Sequence, residues 1–498
     1  MKRNQLAALI LAVLMCLPIL ASCGGDGGQK PAVTAAETAA VNETEAETTA
    51  PPEYVAPDVD YDGAEVTFAV IDYVTSGQGG VWAASNYCEG FMPEQNGDPL
   101  NDSIYERNMK VEEELNVKIK IYSLSSFSNG VGEFKKPVLA GDDVIDLCLM
   151  NAGKLSELLG TGMLLDLQTL GLDLSKSWWD QGSVEELNLL GKLYTATGDI
   201  SLNAAFAPIT YFFNKKLVSD FSLKDPYQMV NDGTWTLDVA MDMCYTVAGD
   251  LNGNGQTDIE DRFGMLFETA SIPYMLQAGG MRYTVKDSDG VPQLALNTEK
   301  TAKMLEMIAP FVADKATNIL ASNYSGYKNT FTDLMLPMFI DDRALFYNNQ
   351  LLVALNLRNM NADFGVLPSP KYDEAQDEYY VPYSTWWSTF LIIPVTNSKP
   401  EMTCDFAQSA GYWSQQLIRT AYIDVTVMNK TLRDEDSVNM LDIILNNCVH
   451  DVGCIYNWGG MVGMLQNIGS NSFASTYASN ESKIQAALDK TLETLRAE

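Results

Sequence analysis

The sharpest chemistry in this sequence lies in twelve consecutive residues, Asp250-Leu251-Asn252-Gly253-Asn254-Gly255-Gln256-Thr257-Asp258-Ile259-Glu260-Asp261. Oxygen-bearing side chains stand at the first, third, fifth, ninth and twelfth places, with glycine at the sixth. A hard cation such as Ca2+ takes roughly six to eight oxygen donors. Short Asp and Asn side chains spaced by one residue can all turn toward one point if Gly255 allows the sharp bend, and Gln256 in the seventh place offers its backbone carbonyl. The pattern predicts a structural Ca2+ held by Asp250, Asn252, Asn254, Gln256, Asp258 and Asp261. The twelfth residue is Asp where a longer Glu gives bidentate ligation, so Glu260 beside it is an alternative donor. Without a metal the same residues would make a polar turn.

Aromatic side chains are the second chemical theme. Eight tryptophans are present: Trp82, Trp178, Trp179, Trp235, Trp386, Trp387, Trp413 and Trp458. The C–H faces of sugars pack on aromatic rings, while their hydroxyls need carboxylates and amides nearby. Trp386 and Trp387, in Tyr383-Ser384-Thr385-Trp386-Trp387-Ser388, are the leading ligand-binding candidates. Asp199, in Gly198-Asp199-Ile200-Ser201, is the leading polar one; a short acid there could also cap a loop. Trp178, Tyr211 and Trp458 complete the set. Trp235 opens a helix and is expected to pack locally.

Catalytic signatures are sparse. His450 is the sole histidine, which leaves no histidine pair for a metalloprotease. No G-x-S-x-G elbow, phosphate loop or dinucleotide fingerprint occurs. The balance of 32 Lys and Arg against 65 Asp and Glu, a net charge of −33, opposes nucleic-acid binding, which needs a basic footprint. It also opposes a polybasic lipid-binding face.

The N-terminal residues read as an export signal. Lys2 and Arg3 precede the apolar run Leu6–Leu20, too short and wrongly flanked for a stable membrane span. Leu20-Ala21-Ser22-Cys23 then matches the bacterial lipobox, whose cysteine is lipidated and becomes the mature N-terminus. Residues 1–22 are thus expected to be a signal peptide, and 23–57 a lipidated cysteine with a disordered tether rich in Gly, Ala, Thr and Glu. Beyond Cys16 and Cys23, six cysteines are scattered without a C-x-x-C pair. Most read as isolated buried thiols, and spacing does not say whether Cys448 and Cys454 bridge.

The body alternates strand and helix. Ala64–Ile71, Val117–Ile121 and Val144–Met150 read as strands, Asn101–Leu115 as a helix and Leu155–Leu159 as the start of another. Further helices are expected at Leu237–Val247, Thr301–Ala313, Pro400–Ile418 and Asn480–Arg496, the last with Asn480 as N-cap. Short strands fall at Ala344–Tyr347, Phe364–Leu367 and Phe390–Ile393. The alternation predicts an α/β fold with mainly parallel sheet.

Five segments, in order, carry a resemblance. They are Gly97-Asp98-Pro99-Leu100-Asn101-Asp102 with Tyr105-Glu106-Arg107-Asn108; Ala140-Gly141-Asp142 with Gly162-Met163-Leu164-Leu165-Asp166-Leu167; Gly191-Lys192-Leu193-Tyr194 leading to Tyr211-Phe212-Phe213-Asn214-Lys215; Asp232-Gly233-Thr234-Trp235-Thr236-Leu237; and Asp363-Phe364-Gly365-Val366-Leu367-Pro368 followed by Leu391-Ile392-Ile393-Pro394. Together they resemble the family 1 extracellular solute-binding proteins of ABC transporters, the group containing maltose- and oligosaccharide-binding proteins. The resemblance implies a two-lobed periplasmic-binding-protein-like α/β fold with several hinge crossings and an interlobe cleft. Lobe 1 would span 58–210 with about 368–425, and lobe 2 would span 211–366 with about 426–498. Tyr211–Asn214 and Phe364–Leu367 would be crossings. Similar oxygen-rich loops occur in alginate-binding relatives, where the ion is structural.

The implied function is a monomeric, lipid-anchored protein on the extracellular face of the cell membrane. It would capture a small polar solute, in the first instance an oligosaccharide, for permease subunits of an ABC transporter, without catalysis. A lipid-tethered carbohydrate-active enzyme and a surface adhesion lipoprotein are the alternatives.

Overall fold

Why the chain folds into two sheets is visible in its first three strands. β1 (Ala64–Ile71) and β2 (Val117–Leu124) are rich in β-branched and aromatic residues, and β3 (Leu147–Asn151) is a short, wholly buried and mostly apolar run. In the computed structural model β1 pairs in parallel with β2 from Ala64↔Val117 to Ile71↔Leu124, and with β3 at Phe68↔Leu147. The structure describes residues 54–74, 83–268, 270–358, 360–423, 435–466 and 473–497. The signal-like segment, Cys23, nearly all of the tether and Trp82 lie outside them. No helix among the described residues is long and apolar enough to cross a membrane.

The helix Pro99–Leu115 shows how local sequence sets an element. Asp98 accepts the backbone N–H groups of Leu100 and Asn101, Pro99 occupies the first turn, and Asn116 ends the helix at φ 49°. Its inward face buries Leu100, Ile104, Val111 and Leu115, whereas Met109 faces solvent. The helix Pro400–Trp413 packs beside it.

The next strands form a second sheet. β4 (Ile209–Asn214), β5 (Phe263–Phe267), β8 (Asn318–Leu320), β9 (Ala344–Gln350) and β10 (Phe364–Pro368) lie in the order β10-β4-β9-β5-β8. A small hairpin, β6 (Thr284–Lys286) and β7 (Pro292–Leu294), stands apart. β11 (Thr389–Ile392) returns to the first sheet, antiparallel to β3, giving β11-β3-β1-β2. The chain therefore enters the second sheet at β4 and leaves it at β10, and these two strands are antiparallel neighbours. Residues 51–498 nonetheless form one compact unit.

Several sequence expectations are corrected. The second sheet is mixed, because β4 runs antiparallel to both β9 and β10 while β5 is parallel to β8 and β9. The expected helix at Leu155–Leu159 is instead a single turn, Ala152–Leu155, followed by hydrogen-bonded turns. The helix expected through Ile418 is regular only to Trp413 and widens into π-type turns over Ser414–Arg419. Asn480 caps nothing. The last helix starts at Phe473, and the Asn480 amide donates to the carbonyl of Thr476 one turn back.

A buried polar knot ties the passage between sheets. The Glu89 carboxylate accepts from the Thr389 hydroxyl at 2.9 Å, the Ser201 hydroxyl at 3.2 Å and the Asn203 N–H at 3.2 Å. These groups start β11 and open the helix Leu202–Phe206 that leads to β4. Arg107, buried in the first long helix, donates to the Glu89 carbonyl at 2.7 Å and to Ser414 at 2.9 Å.

Burial raises the Glu89 carboxyl from 4.5 to about 7, although the Asn203, Thr389 and Ser201 donors oppose the rise. The folded chain thus keeps a proton that the unfolded chain releases near pH 4.5. The associated stability is complete below that pH and is lost as pH rises through about 7. E89Q is expected to flatten this part of the pH profile of urea midpoints. An unchanged profile in the variant would contradict the assignment.

Candidate functional site

In open α/β sheets, ligand sites form beyond the carboxyl ends of the parallel strands. Four such ends meet around one cavity of about 510 Å3. Phe127 follows β2, Gly153 follows β3, Glu268 follows β5, and Gln350 ends β9. The segment Ser384–Trp387, which runs into β11, lies at the same edge of the first sheet. Tyr274, from the helix Ser271–Ala278, adds to one wall. Asn457 and Gln466 add to another.

The tryptophan segment is held by backbone contacts as well as by the packing of its rings. Ser384 N–H donates to the Ala207 carbonyl, Gly153 N–H to that of Thr385, and Ala152 N–H to that of Ser388, each at 2.9 Å. The Asn151 amide donates to the Trp386 carbonyl at 2.6 Å. A side chain at Gly153 would press on the Thr385 carbonyl at 3.2 Å and on the Phe127 ring at 3.3 Å. Glycine suits this close approach, since any larger residue would have to push these neighbours back by a few tenths of an ångström.

So positioned, the two tryptophans differ. Trp386 is 51% exposed and stacks on Phe127 with centroids 3.7 Å apart and planes 20° apart. One ring face is thus used in packing while half the side chain remains open. Trp387 is only 6% exposed and leans on Tyr73 at 5.9 Å. Leaving so large an apolar surface at water is costly unless something covers it.

Across the cavity, Glu268 accepts from the Asn349 amide at 3.0 Å. Its carboxyl is raised from 4.5 to about 7 by burial, against the donors Asn349 and Tyr347. The Gln350 Oε1 is buried without a hydrogen-bond partner. A buried acceptor left unpaired costs roughly 1–3 kcal/mol, so the wall holds acceptor capacity that a donor-rich ligand would satisfy.

The other expected ligand residues go elsewhere. Asp199 and Trp178 line a separate cavity of about 280 Å3 with Asp180, Gln181 and Arg419. There Asp199 pairs with Arg419 at 3.3 Å, and burial lifts its carboxyl to about 6 despite that guanidinium. Trp178 is buried, and its indole N–H donates to Gln408 at 2.8 Å. Tyr211 is buried against Trp235 and Phe346, because β4 is an interior strand whose two faces are both covered. Trp458 is buried too. It stacks on Tyr456 and donates to Thr491 of the C-terminal helix at 2.9 Å. Trp235 packs against Tyr211 and Phe346 of the second sheet and donates to the Pro368 carbonyl at 3.0 Å.

Phe127, Glu268, Gln350 and Tyr274 were not anticipated. For Glu268 a signal existed: an acid directly after the buried run Phe263-Gly264-Met265-Leu266-Phe267 marks a strand end. His450 is buried, with Nε2 3.1 Å from Asp180. The six cysteines in the described body are free thiols, four of them buried.

The oxygen-rich loop is a closed set of turns. Asp250 accepts from Gly253 N–H at 2.7 Å and from Gly255 N–H at 2.8 Å. Asp261 accepts from Leu251 N–H at 3.0 Å and Asp258 N–H at 2.9 Å, and Asn254 accepts from Gln256 N–H at 2.7 Å. Gly253 and Gly255 take φ of 70° and 73°, as the tight turns require. Backbone N–H groups hold the Asp250 and Asp258 carboxyls below the usual range. Among the described residues, no three His, Cys, Asp or Glu side chains converge as a ready metal cluster. The Asn252 and Asn254 amides instead donate to Asp258. The donor set itself is all oxygen and suits a hard cation, provided those two amides turn their oxygens inward.

No family model and no curated protein matches the chain. Solved structures do. An ABC substrate-binding protein from Listeria monocytogenes, in complex with cycloalternan, superposes with a TM-score of 0.52 at 12% identity, covering 87% of this chain and 99% of that one. A cyclo/maltodextrin-binding protein complexed with maltotetraose gives 0.53 at 14%, covering 87% and 97%. UgpB from Mycobacterium tuberculosis, in complex with glycerophosphocholine, gives 0.55 at 15%, covering 86% and 99%. At such identities the likeness is one of fold, and the chain has the two-lobed α/β fold of these ABC-transporter substrate-binding proteins.

Proposed function

We propose that this chain is a lipid-anchored, extracellular solute-binding protein that captures a small polar solute, an oligosaccharide, and presents it to the permease subunits of an ABC transporter. The observation that carries this reading is the half-open Trp386 on Phe127, which lines one cavity together with Glu268 and with Gln350, whose side-chain oxygen is unpaired. Rings supply stacking area, and the acceptors take up hydroxyl donors. Ligand that contacts both sheets stabilises a closed arrangement of lobes, and a permease can read that arrangement. Two of the structural neighbours described above hold oligosaccharides.

Binding without turnover is the reading favoured over a tethered glycosidase. Hydrolysis of glycosides uses two carboxyl groups flanking the bond, and Glu268 is the single carboxylate among the described residues that line the cavity. Export and anchoring rest on Lys2, Arg3, the Leu6–Leu20 run and Cys23, which would place the mature body as a monomer at the outer face of the cell membrane.

In this proposal Asp250, Asn252, Asn254, Gln256, Asp258 and Asp261 hold a structural Ca2+, which would supply only a fixed charge to brace the loop. The loop does not line the Trp386 cavity.

A thermal-shift screen of the mature protein against neutral oligosaccharides is expected to show stabilisation by at least one sugar with no released product. W386A should weaken that sugar roughly tenfold by loss of stacking and buried ring area. Turnover, or full affinity in W386A, would contradict the proposal.

Removing Ca2+ with a chelator should lower the melting temperature by about 2–4 °C, as for the loss of about 2–4 kcal/mol from a body of this size. Restoration by Ca2+ should fail in a D250N/D258N double variant. A melting temperature indifferent to both treatments would leave the loop as a polar turn.

A further inference from the structure

The cavity carries little charge of its own. Among the described residues that line it, neither Lys nor Arg occurs, and Glu268 is the single charged group. The titratable neighbours are Tyr347 on β9, Tyr274 on the helix Ser271–Ala278 and Cys454 on the helix Val452–Tyr456. Burial pushes all three well above their ordinary values, so they are neutral near pH 7. The Lys154 ammonium is 5.3 Å from the Phe127 ring centroid and is paired with Glu157 at 2.9 Å. Lys154 itself is not among the lining residues. The wall therefore offers acceptors, namely the Glu268 carboxylate, the unpaired Gln350 oxygen and aromatic faces, and among the described lining residues there is no Lys or Arg to balance an incoming anion.

Resting on the reading of this cavity as the ligand site, we infer that it selects its ligand by charge: uncharged or cationic molecules rich in hydroxyl or amine donors enter, and carboxylated or phosphorylated ones are rejected, with Glu268 as the specificity-determining residue. An anion beside an unbalanced carboxylate in a partly dehydrated pocket meets a repulsion that water screens poorly. A hydroxyl or an ammonium meets acceptors already short of donors. Aromatic faces add attraction for an ammonium and none for a carboxylate. The raised Glu268 carboxyl makes the filter pH-dependent. It is strongest above about 7, where the group is ionised, and fades as pH falls below that value.

The test has two arms on the mature chain, one of which needs no ligand. The Trp386 emission, taken as the difference between wild type and W386F, is titrated with caesium and with iodide. Caesium should quench it at least about twice as effectively as iodide at pH 8, and the preference should shrink at pH 6 and in E268Q. In the second arm, three trisaccharides are offered: one neutral, one of galacturonate and one of glucosamine. The galacturonate trimer should bind at least about tenfold more weakly than the neutral one, and E268Q should narrow that gap. Equal affinity for the neutral and galacturonate trimers, or a caesium preference as large in E268Q as in the wild type, overturns the inference. If no trisaccharide binds while the caesium preference holds in the wild type and shrinks in E268Q, the charge filter stands and the oligosaccharide reading falls.

Discussion

Parallel strands deliver their carboxyl ends to one edge of a sheet, and the site of this protein follows from that constraint. β2 and β3 bring Phe127 and Gly153 to the edge of the first sheet, and β5 and β9 bring Glu268 and Gln350 to the edge of the second. No residue of the cavity is near all the others in sequence. What assembles them is the direction of the strands, together with a chain that enters the second sheet by β4 and leaves it by β10. Convergence at a strand edge is a general route to ligand sites in α/β folds.

Burial acts alike on two glutamates that serve different ends in this framework. Glu89 and Glu268 are both lifted to about 7 by the loss of water. Glu89 is enclosed by Thr389, Ser201 and Asn203, which together fix the start of β11 and the approach to β4. Its donors are all internal, so it serves the join between sheets. Glu268 has Asn349 as its close donor and opens onto a cavity. The same desolvation that braces one site leaves the other with unmet acceptor capacity.

Local elements were legible in the sequence where one face of an element decides its pattern. Leu237–Val247 matches its helix end to end, and Pro99–Leu115 follows its periodicity because one side is buried and polar residues mark the limits, whereas Ala64–Ile71 is legible as a β-rich run that becomes buried on both faces. The site was legible only in part. Trp386 and Trp387 stood out as adjacent aromatics before a strand, and they do line the cavity. Tyr211 and Trp458 carried the same aromatic signal but are buried, since burial depends on neighbours supplied by distant strands and by the last helix. Phe127 and Gln350 gave no signal, because their importance lies in the sheet edge they occupy. The antiparallel pairing of β4 with β9 and β10 was hidden for a similar reason: strand direction is set by connections and not by composition.

The central claim is that solute lands where the two sheet edges meet. A crystal structure of the mature chain grown with a mixture of neutral trisaccharides tests it most directly. The account predicts sugar density lying on the open part of Trp386, bordered by Glu268 and Gln350. Sugar bound instead in the cavity of Asp199 and Arg419, with the Trp386 cavity holding solvent, would contradict it.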